Sequence, residues 1–367
     1  MIAEPLTLKS PTGSIELESN LLLAPIAGWC ELAWRITCRE LGGVGLACTD
    51  LLSPRGLMLS QETSTNLAHT NDQDQPICMQ LYGSDPEILA QGAIWCADHG
   101  ANVVDINMGC PVDKVTKKDG GSKLMCDLDR TFDIFAKVHE ALPGDIPLTA
   151  KMRLGWDESA KQSGAASKLA IGLCDRGAAA ITVHGRTTEE KFKGSCDLDG
   201  IKRVVDELGH AHPGVPLIGN GDIKHPTDVI KMMHHTRCAG VMIGRGSFSN
   251  PWIFGYSWAL QQRVIEQAVD PSDPDAIGAI DLSDLYPSED AKLDMLVRFF
   301  DRMIEYRDAD HARHVFRQKA NLLGKPINDG HCRPLKNAIR EAKTIQDVYT
   351  AIEDWRTRDI DQGKQAL

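Results

Sequence analysis

Eight short apolar runs recur along the chain: Leu21–Ala24, Val44–Cys48, Ile77–Leu81, Val103–Asn107, Pro147–Met152, Ala180–His184, Pro216–Asn220 and Gly240–Ile243. They are apolar without a strict in-out alternation, the pattern of parallel strands covered on both faces. Stretches of helical pattern lie between them, such as Pro86–His99, Leu128–Leu142, Ala165–Arg176 and Pro226–His234. Eight β-then-α units within about 250 residues match the (β/α)8 TIM barrel, an α/β fold. A doubly wound sheet produces the same alternation, so periodicity alone leaves that alternative open.

Residues 270–290, DPSDPDAIGAIDLSDLYPSED, break the rhythm with seven acidic residues, three prolines and no Lys or Arg. Beyond them the chain is helical in character. The spacing predicts a catalytic barrel over 1–269, an acidic linker over 270–290 and a small C-terminal helical domain over 291–367. Charge sharpens this division. The whole chain has a formal net charge of −11, which argues against nucleic acid as a partner of the bulk protein. Yet His311 to Lys343 holds eight Lys/Arg against Asp329 and Glu341, a local net of +6. Most charge runs are solvated helix surface, but a basic island in an acidic chain points to an anionic partner.

Composition adds limits. No apolar run approaches the roughly 20 residues of a membrane span, and MIAEPLTLKS does not read as a signal peptide. The eleven cysteines are scattered without a C-x-x-C pair, so no metal site or disulfide framework is expected. A reduced, cytoplasmic, monomeric protein with no membrane association is the simplest expectation.

In such a barrel the chemistry lies at the C-terminal ends of the strands. Those ends here read Ala24-Pro25-Ile26-Ala27-Gly28, Gln80-Leu81-Tyr82-Gly83, Asn107 to Cys110, Lys151-Met152-Arg153, His184-Gly185-Arg186, Asn220-Gly221-Asp222 and Gly244-Arg245-Gly246. A single Lys, His or Asn-Gly-Asp has a dull explanation, as a satisfied core residue or a turn. Their joint register with seven strand ends does not. Glycine-rich loops after the last two strands commonly cradle phosphate, and Arg245 adds charge. No G-x-G-x-x-G follows a strand, which argues against a Rossmann-bound dinucleotide. A phosphorylated cofactor with an aromatic ring is implied, and Lys151 would stabilise negative charge on a reduced flavin.

The blocks LAPIAGWCELAWR, QLYGSDPE, DINMGCPVDKV, LTAKMRLGWD, ITVHGRT, IGNGDI and GVMIGRGSFSNPWIF, from about Leu21 to Phe254, resemble the tRNA-dihydrouridine synthases. The resemblance implies an FMN-bearing barrel followed by a small helical domain that grips tRNA. It implies NADPH (or NADH) as reductant and reduction of particular uridines to 5,6-dihydrouridine. By position, the FMN contacts fall on Pro25, Ile26, Ala27, Gln80, Lys151, His184, Asn220, Gly221, Asp222, Gly244 and Arg245. The proton-donating cysteine falls on Cys110 and the substrate-side asparagine on Asn107. Arg186, Arg317, Lys319 and Lys336 are expected on the RNA side. Two positions depart from the family's pattern: Ile26 stands where Met is usual, and Lys123 adds a charge to the glycine-rich stretch Gly121–Met125. The helical part matches less well, without the aromatic residues that commonly follow its basic helix.

A cysteine between Gly109 and Pro111 suits this chemistry. Reducing a uracil ring adds hydride to one carbon of the double bond and a proton to its neighbour. A thiol on a stiff turn gives up a proton readily with little entropy left to lose. Cys30, Cys38, Cys96 and Cys174 sit in helix-like segments and read as packing. A stacked uridine must swing out of the tRNA to reach such a pocket, which accounts for an appended basic domain. Two rivals are weighed: an FMN barrel acting on a free pyrimidine such as dihydroorotate, and a catalytically inactive tRNA-binding protein.

Overall fold

Each of the eight runs forms a strand, and together they close into one parallel ring. The computed structural model describes residues 2–116 and 120–365. The ring strands are β3 (Leu21–Leu23), β4 (Leu46–Leu52), β5 (Ile77–Leu81), β6 (Val103–Met108), β7 (Leu148–Arg153), β8 (Ala180–His184), β9 (Leu217–Asn220) and β10 (Gly240–Ile243), with β10 pairing back onto β3. Closure excludes the doubly wound sheet. Ahead of the ring, β1 (Thr7–Lys9) and β2 (Ser14–Glu16) form an antiparallel hairpin that the sequence pattern did not signal.

Register explains what the strands bury. Alternate residues Leu22, Leu46, Cys48, Cys78, Val103, Ala180, Ile218 and Met242 share one apolar cluster with Leu6, Leu8 and Leu17, which flank or belong to the hairpin. The hairpin therefore plugs the N-terminal end of the barrel. The intervening residues, among them Leu21, Leu23, Ala47, Ile77, Met79, Val104, Ile106 and Ile181, pack in the larger cluster with the helices. Further along the inward positions the side chains turn polar: Gln80, Asp105, Asn107, Thr149, Lys151, Arg153, Thr182, His184 and Asn220 are linked by the cross-strand register. The barrel is thus greasy at its base and charged at its mouth.

The outer helices include α1 (Leu32–Glu40), α2 (Pro86–Asp98), α3 (Leu128–Ala141), α4 (Ala165–Cys174), α5 (Leu198–Ala211), α6 (Pro226–Thr236) and α7 (Ile253–Glu266). Several start where an Asp side chain accepts a backbone N–H: Asp85 from Ile88, Asp127 from Arg130 and Asp197 from Gly200. Each such cap is worth about 1 kcal/mol. No helix among the described residues is long and apolar enough to cross a membrane. No cluster of three or more potential metal-ligating His, Cys, Asp or Glu occurs among them.

From Glu289 onward come α8 (Glu289–Tyr306), α9 (Ala309–Leu323), α10 (Arg333–Glu341) and α11 (Ile345–Gln365). Helix α8 lies against α1. The Trp34 and Phe299 rings meet edge-on at 5.1 Å, and Arg302 bonds the Thr37 hydroxyl at 3.0 Å and pairs with Glu40. Leu293, Leu296, Phe299 and Phe300 share one buried cluster with Trp34 and the barrel residues. The stretch 270–290, expected as a linker, holds a helical turn over Pro274–Gly278 and buries Ile277, Ile280 and Leu282 against Ile230, Leu260 and Val264. Six of its seven acidic residues are exposed while Ile277, Ile280 and Leu282 pack, so a stretch whose composition reads as linker also serves as cladding.

Candidate active site

The turn after β6 is held from three sides. Asn107 Oδ1 accepts the backbone N–H groups of Gly109 at 3.3 Å and Cys110 at 2.9 Å. From β7, Arg153 Nε donates to the Gly109 carbonyl at 2.7 Å. The Cys110 carbonyl accepts the Ser122 N–H at 3.1 Å. Cys110 itself stays half-exposed, a thiol on a fixed backbone that a ligand can reach.

Asn107 is in turn set by a relay of side chains. Its Nδ2 donates to Gln80 Oε1 at 2.8 Å, and Gln80 Nε2 donates to Asp105 Oδ2 at 2.7 Å. Thr149 donates to the other Asp105 oxygen at 2.6 Å. A carboxylate only accepts, so it decides which end of the Gln80 amide faces it and hence which way Asn107 points. Burial pushes Asp105 up to about 6, against the hydrogen bonds from Thr149 and Gln80 and the charge of Lys151.

Cations line the opposite wall. Lys151 Nζ donates to Asn220 Oδ1 at 2.9 Å, and Asn220 Nδ2 donates to the Met242 carbonyl at 2.7 Å. Burial and the neighbouring Arg153 bring Lys151 down to about 8. His184, buried and surrounded by Lys151, Arg153, Arg186 and Arg245, is held far below its ordinary value and is neutral. Arg186 Nη1 lies 3.3 Å from His184 Nε2. A guanidinium can only donate, so Nε2 accepts and the proton sits on Nδ1.

The last two loops fit close approach by a ligand. Gly221 has φ +131°, and a Cβ there would lie 2.7 Å from Cys196 Sγ and 3.1 Å from His184 Cδ2. Asp222 follows with φ +53°. Burial pushes its carboxyl up, but hydrogen bonds from Arg186 and the Cys196 N–H, with Arg245 nearby, outweigh that and hold it low. Gly244 packs against Ile26, linking the last loop to the first. Arg245 is more than half exposed, 3.7 Å from Asp222. The expected cofactor residues are thus gathered at one barrel end.

With this geometry in place the comparisons with known proteins bear on it directly. The family model described as dihydrouridine synthase matches residues 22–352. The chain belongs to the dihydrouridine synthase family. The probable tRNA-dihydrouridine synthase of Rickettsia bellii is 34% identical over 346 residues, covering 93% of this chain and 98% of that one. The tRNA-dihydrouridine synthase B of Shewanella oneidensis is 31% identical, covering 93% and 96%. Among solved structures, 6-hydroxypseudooxynicotine amine oxidase from Pseudomonas geniculata N1 aligns with a TM-score of 0.53 at 12% identity, covering 72% of this chain. A 2-naphthoyl-CoA reductase aligns with a TM-score of 0.52 at 13% identity, also over 72% of this chain. The chain spans about half the length of these two structures, 50% and 52%. That likeness is one of fold.

In this family member the expected RNA-side residues are dispersed. Arg186 is 1% exposed, bonded to the carbonyls of Lys193 and Gly194 and paired with Asp222 at 2.6 Å, so it ties loops together beneath the mouth. Lys336 donates to the Gly330 carbonyl at 2.7 Å, inside the helical part. Lys319 bonds the Gly28 carbonyl of the first barrel loop. Arg317 is exposed, with its Nε on the Arg340 carbonyl at 2.7 Å. Reading strand ends missed Asp105 and Thr149, which lie deeper in the barrel, and assigned no role to Asp50. An acid inside an apolar run was the available signal for Asp105. Phe192, exposed at the rim, lies within 5.6 Å of the Arg153 guanidinium and 5.1 Å of that of Arg245.

Proposed function

We propose that this protein is a cytoplasmic tRNA-dihydrouridine synthase that binds FMN at the barrel mouth and draws on NADPH or NADH. It reduces the 5,6 double bond of particular uridines in tRNA. The observation that carries the reading is Cys110, a reachable thiol on a turn pinned by Asn107, Arg153 and Ser122. The donor set of the mouth fits FMN. Arg245 is a half-exposed cation next to glycine-lined backbone and suits a phosphate; Lys151 and neutral His184 suit a polar ring edge. Pro25, Ile26, Ala27 and Gln80 would complete the contacts, with Asn220, Gly221, Asp222 and Gly244 shaping the far side. FMN, when bound, supplies the hydride for one carbon of the double bond.

The chain's own residues handle the proton. Cys110 Sγ–H delivers it to the neighbouring carbon, and solvent restores it to sulfur afterwards. Lys151 and Arg153 lie within electrostatic range of Cys110, so the thiolate left behind faces positive charge. Asn107 fixes the turn through Oδ1 and retains a second N–H on Nδ2, which suits a uracil carbonyl. The helical part grips tRNA phosphates through exposed cations such as Arg317, Lys325, Arg333, Arg340 and Lys343. The test is to purify the protein and record its flavin spectrum. It is then incubated with NADPH and tRNA lacking dihydrouridine, and the tRNA is mapped by mass for a gain of two hydrogens per site. A protein that reduces or oxidises a free pyrimidine but leaves tRNA unchanged would overturn this reading in favour of the free-pyrimidine alternative.

A further inference from the structure

One contact between the helical part and the barrel mouth centres on a single glycine. Gly28 follows Pro25, Ile26 and Ala27 and has φ +74°, a conformation that favours glycine. Its N–H donates to Asp50 Oδ2 at 2.9 Å, and its carbonyl accepts from Lys319 of α9. The two sides of this short loop are therefore held by different parts of the chain, one by β4 and the other by α9. The Lys319 ammonium also lies 4.2 Å from the centroid of the Trp29 ring. That indole stacks on Phe248 with centroids 3.9 Å apart and planes 10° from parallel. Phe248 sits on the short helix Arg245–Ser249, which begins directly after Gly244. Ile26 in turn packs against Gly244.

We propose that Lys319 is a positioning residue for the cofactor: from the helical part it clamps the loop Pro25–Trp29 onto the loop Gly244–Phe248. This rests on the reading that those two loops hold FMN. The physical case is one of preorganisation. A loop with a left-handed glycine has several backbone states, and hydrogen bonds to the two peptides that flank one Cα select a single state before ligand arrives. A charged donor on a carbonyl and a cation on an indole are each stronger than their neutral counterparts. The surroundings show that this charge belongs to the fold. Burial lowers Lys319, while Glu31 and Asp50 pull it back up. Asp50 is itself raised to about 7, by burial first, and its Oδ1 is buried with no hydrogen-bond partner among the described residues. A lysine bonded to a carbonyl, set over an indole and within electrostatic range of two carboxylates is already spent within the fold, although it lies in the basic stretch that pointed to an RNA phosphate.

The test uses the full-length holoenzyme and reads FMN affinity by equilibrium dialysis beside tRNA affinity across a salt series. Lys319→Met keeps the aliphatic stem and removes donor and charge. It is expected to weaken FMN binding roughly tenfold, since a hydrogen bond to a charged group is lost. Lys319→Arg, which keeps both, is expected to restore FMN affinity to within about twofold, a rescue that simple space-filling would not require. The slope of log tRNA affinity against log salt should be unchanged in both variants. Wild-type FMN affinity in Lys319→Met overturns the proposal, and a slope shallower by about one would reassign Lys319 to a phosphate. Should Lys319→Met fail to fold by circular dichroism, Lys319→Gln keeps a neutral donor and is expected to loosen FMN by a few-fold; undiminished affinity there overturns the proposal equally. Wild-type protein that binds no FMN would instead refute the reading of the loops.

Discussion

Replacing Asn107 with Ala tests how the cysteine turn is held. The substitution removes three hydrogen bonds, to Gln80 Oε1 at 2.8 Å and from the N–H groups of Gly109 at 3.3 Å and Cys110 at 2.9 Å. Gln80 is 1% exposed, so its oxygen is left buried and unpaired, a penalty of about 1–3 kcal/mol. The two N–H groups are on a half-exposed turn where water can replace the lost acceptor, so they add about 1 kcal/mol between them. The expected loss of stability is about 2–4 kcal/mol, read as a shift of the urea midpoint at constant slope. Turnover on tRNA should fall because the thiol loses its fixed backbone. If Asn107 acts through Cys110, the drop should largely vanish when the substitution is made in a Cys110→Ala background, a coupling that a double-mutant cycle measures. A stability change under about 0.5 kcal/mol would refute the hydrogen-bond accounting. An equal drop in turnover in both backgrounds would refute action through the thiol and assign Asn107 a direct contact with the base.

Cys110→Ala should keep its flavin and its reduction by NADPH while losing roughly 10²–10⁴-fold in dihydrouridine formation, measured by mass. Lys151, brought down to about 8, carries its charge below that pH and loses it above, so anaerobic flavin reduction by NADPH should slow as pH rises from 7 to 9; in Lys151→Arg, whose guanidinium stays protonated, that slowing should disappear. Arg186→Met removes the partner of Asp222 and frees two carbonyls, for a cost of roughly 3 kcal/mol in thermal or urea unfolding; unchanged stability with a raised KM for tRNA would make Arg186 a substrate contact. A chain ending near residue 290 uncovers Trp34 where Phe299 packs on it and is expected to aggregate, whereas a soluble, flavin-bearing fragment would make the barrel a separate folding unit.

By itself the sequence determined the eight strands and which residues stand at their C-terminal ends. Each apolar run became a strand because a parallel sheet clad by helices covers such runs on both faces, and it is the pairing of the last strand with the first that closes the sheet into a ring. The residues just past their ends were forced to the mouth by the same closure. Local chemistry was equally legible at Gly109-Cys110-Pro111 and at Gly221, where backbone restriction is written in residue type. What the sequence could not determine is which partner a long or charged side chain would find. Arg186 and Lys319 read as free cations, yet Arg186 is spent on Asp222 and two carbonyls, and Lys319 on Gly28 and Trp29, partners up to 291 residues away. The relay from Asp105 through Gln80 to Asn107 needs the cross-strand register, which pairs residues 25 apart in the chain. The segment 270–290 shows the same limit in reverse. Its composition describes the residues that face water, but Ile277, Ile280 and Leu282 found helices α6 and α7 to cover them. Backbone preference and hydrophobic period are local properties of the chain, whereas the fate of a charge depends on which neighbours the closed structure brings within a few ångströms.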